Sequence, residues 1–275
     1  MSFLEKLSLA YRHPDKLQRY VRIFARSLPF KLRLTKRIPK GLYLSYAPDR
    51  YSVHLAKYHA GKKHSFYDTE SRSKWTKGNY VNNAGDLSRY YFLTLTCDQI
   101  IEEGLKGNIA ELGVYKGNSA YLLAKLARHL ETTAYLFDTF QSFDVRDLDD
   151  QTLRVQGAFS DTSLETVREL TGEDNTRFIQ GYFPESLNQL PDDLRFCLVH
   201  LDCDLYAPFK AALEYFYPRL VDGGFLIMHD YSSYVWDGVE KAVDEFFADK
   251  PERPILIPDK SGSAVIRRSV KIAAQ

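Results

Sequence analysis

Between Asn108 and Ser269 short apolar runs alternate with amphipathic ones, and no other feature of the sequence limits the fold as tightly. The runs "NIAELGV", "TAYLFDTF", "TRFIQGYF", "RFCLVHLDCD" and "GGFLIMHD" read as strands. The stretches "NSAYLLAKLARHL", "SLETVREL", "PFKAALEYFYPRL" and "WDGVEKAVDEFF" read as helices. Strands separated by helices return in parallel through right-handed crossovers, so a mostly parallel sheet with helices on both faces is expected. The unbroken apolar runs "FCLVHL" and "FLIM" suit strands buried on both sides. The closing runs "RPILIP" and "SAVIRRS" lie too close together for a crossover helix and predict an antiparallel hairpin. The fold class is α/β: a Rossmann-like, mostly parallel seven-stranded sheet with a C-terminal antiparallel hairpin.

Upstream, Leu87, Tyr90, Tyr91, Leu95 and Ile100 mark one further helix ending at "EGLKGN". Residues 3 to 28 predict one or two helices, broken near Pro14 and stopped near Pro29, while Lys36 to Asn83 lacks a steady period. The division is therefore a mainly helical, basic extension over residues 1–80 and a main domain over 81–275. With 44% hydrophobic and 27% charged residues, the chain suits one large core and not a disordered polymer.

A formal net charge of +1 conceals an asymmetry: residues 1–41 hold eleven Lys or Arg against Glu5 and Asp15, which leaves the remainder negative. The simplest reading is a solvated helical face whose Leu4, Leu7, Tyr20 and Phe24 pack on the body. The same charge suits peripheral contact with an anionic membrane or a lipid-linked glycan, and the arm is a candidate for acceptor binding or homo-oligomerisation. A negative body without an RNA-binding motif argues against nucleic acid as partner. Cys97, Cys197 and Cys203 are odd in number and lie in apolar patterns, which suits a reducing compartment. Glu5 and Lys6 interrupt the N-terminal apolar run and no other run reaches membrane-spanning length, so a soluble, cytoplasmic chain is expected.

In such a sheet, chemistry sits beyond the carboxyl ends of the strands. The first strand ends "ELGVYKGNSA", where Glu111, Gly113 and Gly117 precede a helix N-terminus. The second ends in Asp138, 21 residues beyond Gly117, near the spacing at which an acid meets ribose hydroxyls. The glycines are spaced G-x-x-x-G and no phosphate-binding loop is present. Glu111 would repel a pyrophosphate but not a cation, so a nucleoside with a positive centre fits: S-adenosylmethionine.

At this point the sequence resembles the class I S-adenosylmethionine-dependent methyltransferases, and among them the TylF/MycF (macrocin O-methyltransferase-like) family of sugar O-methyltransferases. The likeness is carried by "GNIAELGVYKGNSA", "LFDTFQSF", "HLDCDLYAPFKAALEYFYPRLVDGGFLIMHDY" and "WDGVEKAVDEFF", over roughly residues 82 to 270. It implies that Glu111, Gly113, Tyr115 and Ser119 line the methionine part of the cofactor, with Val114 and Gly117 in the same turn. It also implies that Asp138, followed by Thr139, holds the ribose, and that Gly181 and Tyr182 approach the adenine.

Methyl transfer to a sugar hydroxyl needs a positioned donor and a deprotonated acceptor, hence a general base, a divalent cation or both. Asp202 and Asp204 are two apart and in extended geometry project to one side, with His200 joining them. His229 and Asp230 end the next strand. Asp202, His229 and Asp230 are the candidate ligands of a divalent metal, Mg²⁺ in the first instance, and Asp204 is the leading candidate base. Metal-dependent relatives tend to carry two adjacent acids where this chain has His229-Asp230, and imidazole suits zinc or manganese better than magnesium. Alternatives stay open: a metal-free enzyme with His229 as base, a binding protein of the same fold without catalysis, or Asp202 as a mere cap of the following helix. The acceptor expected is a polysaccharide, glycolipid or glycosylated natural product, held in part by Trp236 and the tyrosines of "YSSYVWDG".

Overall fold

The computed structural model describes residues 68–148 and 155–269 together with Phe66 and Thr152. The helices expected between residues 3 and 28 and the basic arm lie outside the described residues. Three helices lead into the sheet: α1 (Thr69–Thr76), α2 (Tyr80–Asn83) and α3 (Leu87–Glu103). The strands and helices then alternate as β1 (Asn108–Leu112), α4 (Asn118–Leu130), β2 (Ala134–Asp138), α5 (Leu164–Thr171) and β3 (Thr176–Gln180). They continue as β4 (Phe196–Leu201), α6 (Tyr206–Phe216), β5 (Leu220–Met228), α7 (Asp237–Phe247), β6 (Ile255–Leu256) and β7 (Ala264–Arg267).

The sheet has seven strands in the order β3-β2-β1-β4-β5-β7-β6. β1 to β5 pair in parallel, and β7 runs antiparallel to both β5 and β6, as the missing crossover requires. All six residues of β4 are buried, in keeping with its unbroken apolar run. On one face Leu112, Phe137, Val199 and Leu201 pack with Phe209 and Phe216 of α6 and Val243 of α7. On the other, Leu136 packs with Ala120 of α4 and Val167 of α5. The strand order reverses between β1 and β4, which opens a crevice above that pair.

Two local readings are refined. The expected strand "RPILIP" shrinks to two residues, because Pro254 and Pro258 flank it and neither can donate to a ladder. The stretch without period before Asn83 contains α1 and α2, which have no apolar stripe and are held by one buried tryptophan and by polar ties to α4. Trp75 is fully buried, its Nε1 donates to the Asn83 carbonyl at 3.0 Å, and Asn83 Nδ2 donates back to the Trp75 carbonyl at 2.8 Å. Asp68 caps α1 by accepting from the Ser71 amide at 2.8 Å. Asn118, at the start of α4, donates to the carbonyls of Lys74 and Lys77, both at 2.8 Å, and so ties α1 to the sheet domain.

Candidate active site

A cleft of about 1330 Å³, counted to its open mouth, lies over the carboxyl ends of β1, β2, β4 and β5. Its floor is made by a close approach of two strand tips. Gly113 follows β1 with φ +87°, and a Cβ there would lie 2.0 Å from the Asp202 carbonyl oxygen, so only glycine allows β1 and β4 to meet.

Over β1 and β2 the polar groups are engaged with backbone. Asp138 Oδ2 accepts from the amides of Val114 (2.7 Å) and Tyr115 (2.8 Å), and Oδ1 accepts from the Phe140 amide (2.7 Å). The residue expected at the ribose is thus first a clamp on the glycine turn, with Thr139 Oγ1 at 3.4 Å as a weaker donor. Ser119 and Gly117 stand at the N-terminus of α4, and Ser119 lines the cleft. Glu111 does not line it: the side chain is fully buried beneath the floor, its Oε1 2.8 Å from Nδ1 of His200, its register partner on β4. Burial raises the Glu111 carboxyl above the ordinary range, and His200 opposes that rise.

Tyr115 has left-handed backbone and sends its hydroxyl to Asp161 Oδ1 at 2.6 Å, while Lys116 Nζ reaches Asp161 Oδ2 at 2.6 Å. Its ring meets Phe159 at 5.0 Å, so Tyr115 holds that segment over the cleft. Tyr182 donates to Asp147 Oδ1 at 2.8 Å and lies under the Arg146 guanidinium, 3.6 Å from the ring centroid. Gly181 donates its amide to the Asp138 carbonyl at 3.0 Å, which places both residues beside the β2 tip.

Over β4 and β5 the polar groups are charged side chains pressed together. Asp202 Oδ1 lies 2.6 Å from His229 Nδ1, and Asp230 Oδ2 lies 2.7 Å from the same nitrogen. Neither contact has hydrogen-bond alignment. One ligand atom from each of Asp202, His229 and Asp230 falls within 4.8 Å of the other two. Burial opposes ionisation of Asp202, but His229 and Arg89 outweigh it and hold that carboxyl well below its usual range. Burial and Arg89 likewise oppose protonation of His229, yet Asp202 and Asp230 push it up to about 10. Burial, together with the charges of Asp230 and Asp202, pushes the Asp204 carboxyl well up.

Extended geometry ends at Leu201, so Asp202 and Asp204 reach the cleft through a turn and not through strand alternation. Asp204 has φ +61° and Asp230 φ +57°, a conformation that aspartate tolerates better than most residues. His200 does not join them, since it is fully buried against Glu111. The N-cap of α6 is Leu205, without a side-chain cap bond, so Asp202 is not that helix's cap.

The sequence reading missed Arg89. It lies on α3 with its side chain 10% exposed, and its NH1 meets Asp202 Oδ2 at 3.0 Å. The available signal was a lone arginine inside the apolar stretch Leu87–Tyr91, three residues after Asp86. It also missed Phe143 and Phe159, which surround Trp236 at ring distances of 5.7 and 6.4 Å and form an aromatic wall of the cleft. Of the loop "YSSYVWDG", Trp236 lines the cleft, Tyr231 bonds Asp244 on α7, and Tyr234 is exposed.

The family model described as macrocin-O-methyltransferase (TylF) matches residues 63–263. The 8-demethyl-8-(2,3-dimethoxy-alpha-L-rhamnosyl)-tetracenomycin-C 4'-O-methyltransferase of Streptomyces olivaceus is 32% identical over 161 residues, 53% of this chain and 61% of that protein. Mycinamicin III 3''-O-methyltransferase of Micromonospora griseorubida is 26% identical over 150 residues, 49% of this chain and 59% of that protein. The matches thus span about three fifths of these relatives' lengths. Among solved structures, the O-methyltransferase NovP shares the fold with a TM-score of 0.58 at 23% identity, over 66% of this chain and 80% of that one. Among the described residues no helix is long and apolar enough to cross a membrane.

Proposed function

Because the chain belongs to the macrocin-O-methyltransferase (TylF) family, we propose that it transfers the methyl group of S-adenosylmethionine to a hydroxyl of a sugar-containing acceptor. The observation that carries this reading is the convergence of Asp202, Asp204, His229 and Asp230 on one side of a glycine-floored cleft. Supporting it, both named relatives are O-methyltransferases by name, and the name of the Streptomyces olivaceus one specifies a rhamnosyl-bearing compound.

The half over β1 and β2 suits the methyl donor: the Gly113 turn and the first residues of α4, Asn118 and Ser119, line it, and a helix N-terminus carries amides without partners in the helix. The half over β4 and β5 suits the acceptor. There Trp236 offers a ring face, and at the α2 edge of the cleft Asn82 Nδ2 donates to Asn79 Oδ1 at 2.9 Å, leaving Asn79 Nδ2 and Asn82 Oδ1 for neighbouring sugar hydroxyls. The aromatic wall of Phe143, Phe159 and Trp236 excludes water from the reacting atoms. The acceptor oxygen attacks the methyl carbon in line, the carbon–sulfur bond breaks with its electrons going to sulfur, and the hydroxyl proton passes to a carboxylate oxygen of Asp204. A carboxyl raised by burial and like charges is a better base than an ordinary one.

The donor set fits a divalent cation: the three ligand atoms are crowded without hydrogen-bond alignment, and two are hard oxygens. Asp202, His229 and Asp230 would hold it, and such an ion supplies Lewis acidity toward an alcohol oxygen. The imidazole favours manganese over magnesium within this class. A second reading rests on the same contact, since a protonated His229 between two carboxylates itself puts positive charge at that place and leaves Asp204 to act without metal.

The test is turnover on a panel of glycosides, with and without EDTA. Methylated product that disappears with EDTA and returns with Mn²⁺ or Mg²⁺ is expected. Product indifferent to EDTA selects the metal-free reading, and no S-adenosylhomocysteine from any glycoside overturns both.

A further inference from the structure

Arg89 borders the cleft from α3, its side chain only 10% exposed. It reaches from α3 to Asp202 Oδ2 at 3.0 Å, and its own place is set by three partners. Asp86 Oδ2 lies 3.0 Å from Nε as an ion pair without hydrogen-bond alignment, Asn83 Oδ1 accepts from NH2 at 3.4 Å, and the Trp75 ring lies 5.1 Å from the guanidinium carbon. Asp86 is itself buried and uses its other oxygen to accept the Lys260 amide at 3.1 Å, so it cannot swing away.

The consequence for Asp202 is geometric. A carboxylate has two oxygens, and with Oδ2 taken from one side, Oδ1 is left facing His229 Nδ1 at 2.6 Å. We propose that Arg89 is a positioning residue for the reaction centre: its rigid fork fixes the rotation of Asp202 and so keeps the ligand atoms of Asp202, His229 and Asp230 gathered for a divalent cation. This rests on the metal-assisted reading above. Stability alone is a poor account of the arrangement, because a buried ion pair roughly cancels its own desolvation. Partners behind a ligand commonly govern metal affinity by 10- to 100-fold.

Arg89→Lys tests this most cleanly, since it keeps the positive charge beside the metal and removes only the planar fork. With the chain of 275 residues, free Mn²⁺ is titrated by electron paramagnetic resonance, S-adenosylhomocysteine binding is followed by calorimetry without metal, and melting is recorded for both proteins. The expected result is Mn²⁺ binding weaker by about 10-fold, S-adenosylhomocysteine affinity within about twofold of the parent, and a lowered kcat with the KM for S-adenosylmethionine unmoved. Asp86→Asn, which keeps the shape but loosens the hold on Nε, is expected to weaken Mn²⁺ by about threefold and serves if Arg89→Lys does not fold. Unchanged Mn²⁺ affinity in the folded variant overturns the proposal. So does a parallel loss of Mn²⁺ binding, S-adenosylhomocysteine binding and melting temperature, which marks a purely structural arginine. A parent chain that turns over but binds no Mn²⁺ overturns the metal reading first, and the role of Arg89 with it.

Discussion

Asp138 and Asp202 end the two strands that flank β1, yet one is surrounded by backbone amides and the other by charged side chains. The amides of Val114, Tyr115 and Phe140 aim at the oxygens of Asp138 at 2.7–2.8 Å, an arrangement that stabilises the turn whatever lies above it. Asp202, His229, Asp230 and Arg89 gain little stability from their company, because each charge loses its water on burial. The groups over β1 and β2 complete a scaffold, whereas those over β4 and β5 are crowded charges of the kind that chemistry can use.

Asp202→Ala should separate the two halves most sharply. Loss of a candidate metal ligand and of the partner of Arg89 is expected to lower kcat by about 10³-fold, while S-adenosylhomocysteine affinity stays within a few-fold. Steady-state kinetics beside calorimetry check this, and a matching collapse of cofactor affinity would show that the halves are one unit. Asp138→Ala is the mirror experiment. Three amides lose their acceptor, so cofactor affinity should fall by about 100-fold while kcat at saturation changes far less. A large kcat defect at full saturation would contradict the division.

Glu252 is a control remote from both halves. Its carboxylate is buried and accepts from Tyr217 Oη at 2.5 Å and the Ser269 amide at 2.8 Å. Burial alone would raise its pKa, but these donors pull it from 4.5 down to about 2. Because the folded value is depressed, its stabilisation is complete above about pH 4.5 and is lost as pH falls toward 2. The amount is on the order of 3 kcal/mol. Glu252→Gln should therefore melt lower than the parent at neutral pH, with the gap closing near pH 2, and kcat at neutral pH should not move. A pH-independent gap would mean that shape and not charge carries the contribution.

How much of this was legible follows from the physics of each part. The sheet declared itself through periodicity, and the final hairpin through the absence of room for a helix between "RPILIP" and "SAVIRRS". Asp202, His229 and Asp230 were legible because strand ends are the places where an α/β sheet presents chemistry. Arg89 was not, because a helical arginine is ordinarily solvated and only the fold shows that Asp202 waits opposite it. Glu111 was placed at the strand end correctly, but alternation along β1 turns its side chain beneath the floor toward His200. The turn at Asp204 was hidden because the local pattern "DCD" looks extended, whereas its φ of +61° is imposed by the junction with α6. Nor do α1 and α2 show a stripe, since one buried tryptophan does the work of a face.

His229→Glu gives the smallest expected effect and bears on what occupies the acceptor half. The change trades a borderline nitrogen donor for a hard oxygen and leaves three carboxylates around one point. If a cation sits there, half-saturation by Mg²⁺ should tighten by about 10-fold relative to Mn²⁺, and added Mg²⁺ should raise the melting temperature of the variant more than that of the parent. If His229 is instead the resident positive charge, the same variant has only Arg89 to balance Asp202, Asp204, Asp230 and the new glutamate. It should then melt lower and turn over more slowly, with no recovery on adding Mg²⁺. Metal titrations of melting temperature therefore distinguish the two without reference to turnover, because only a bound cation can make an added carboxylate stabilising at this place.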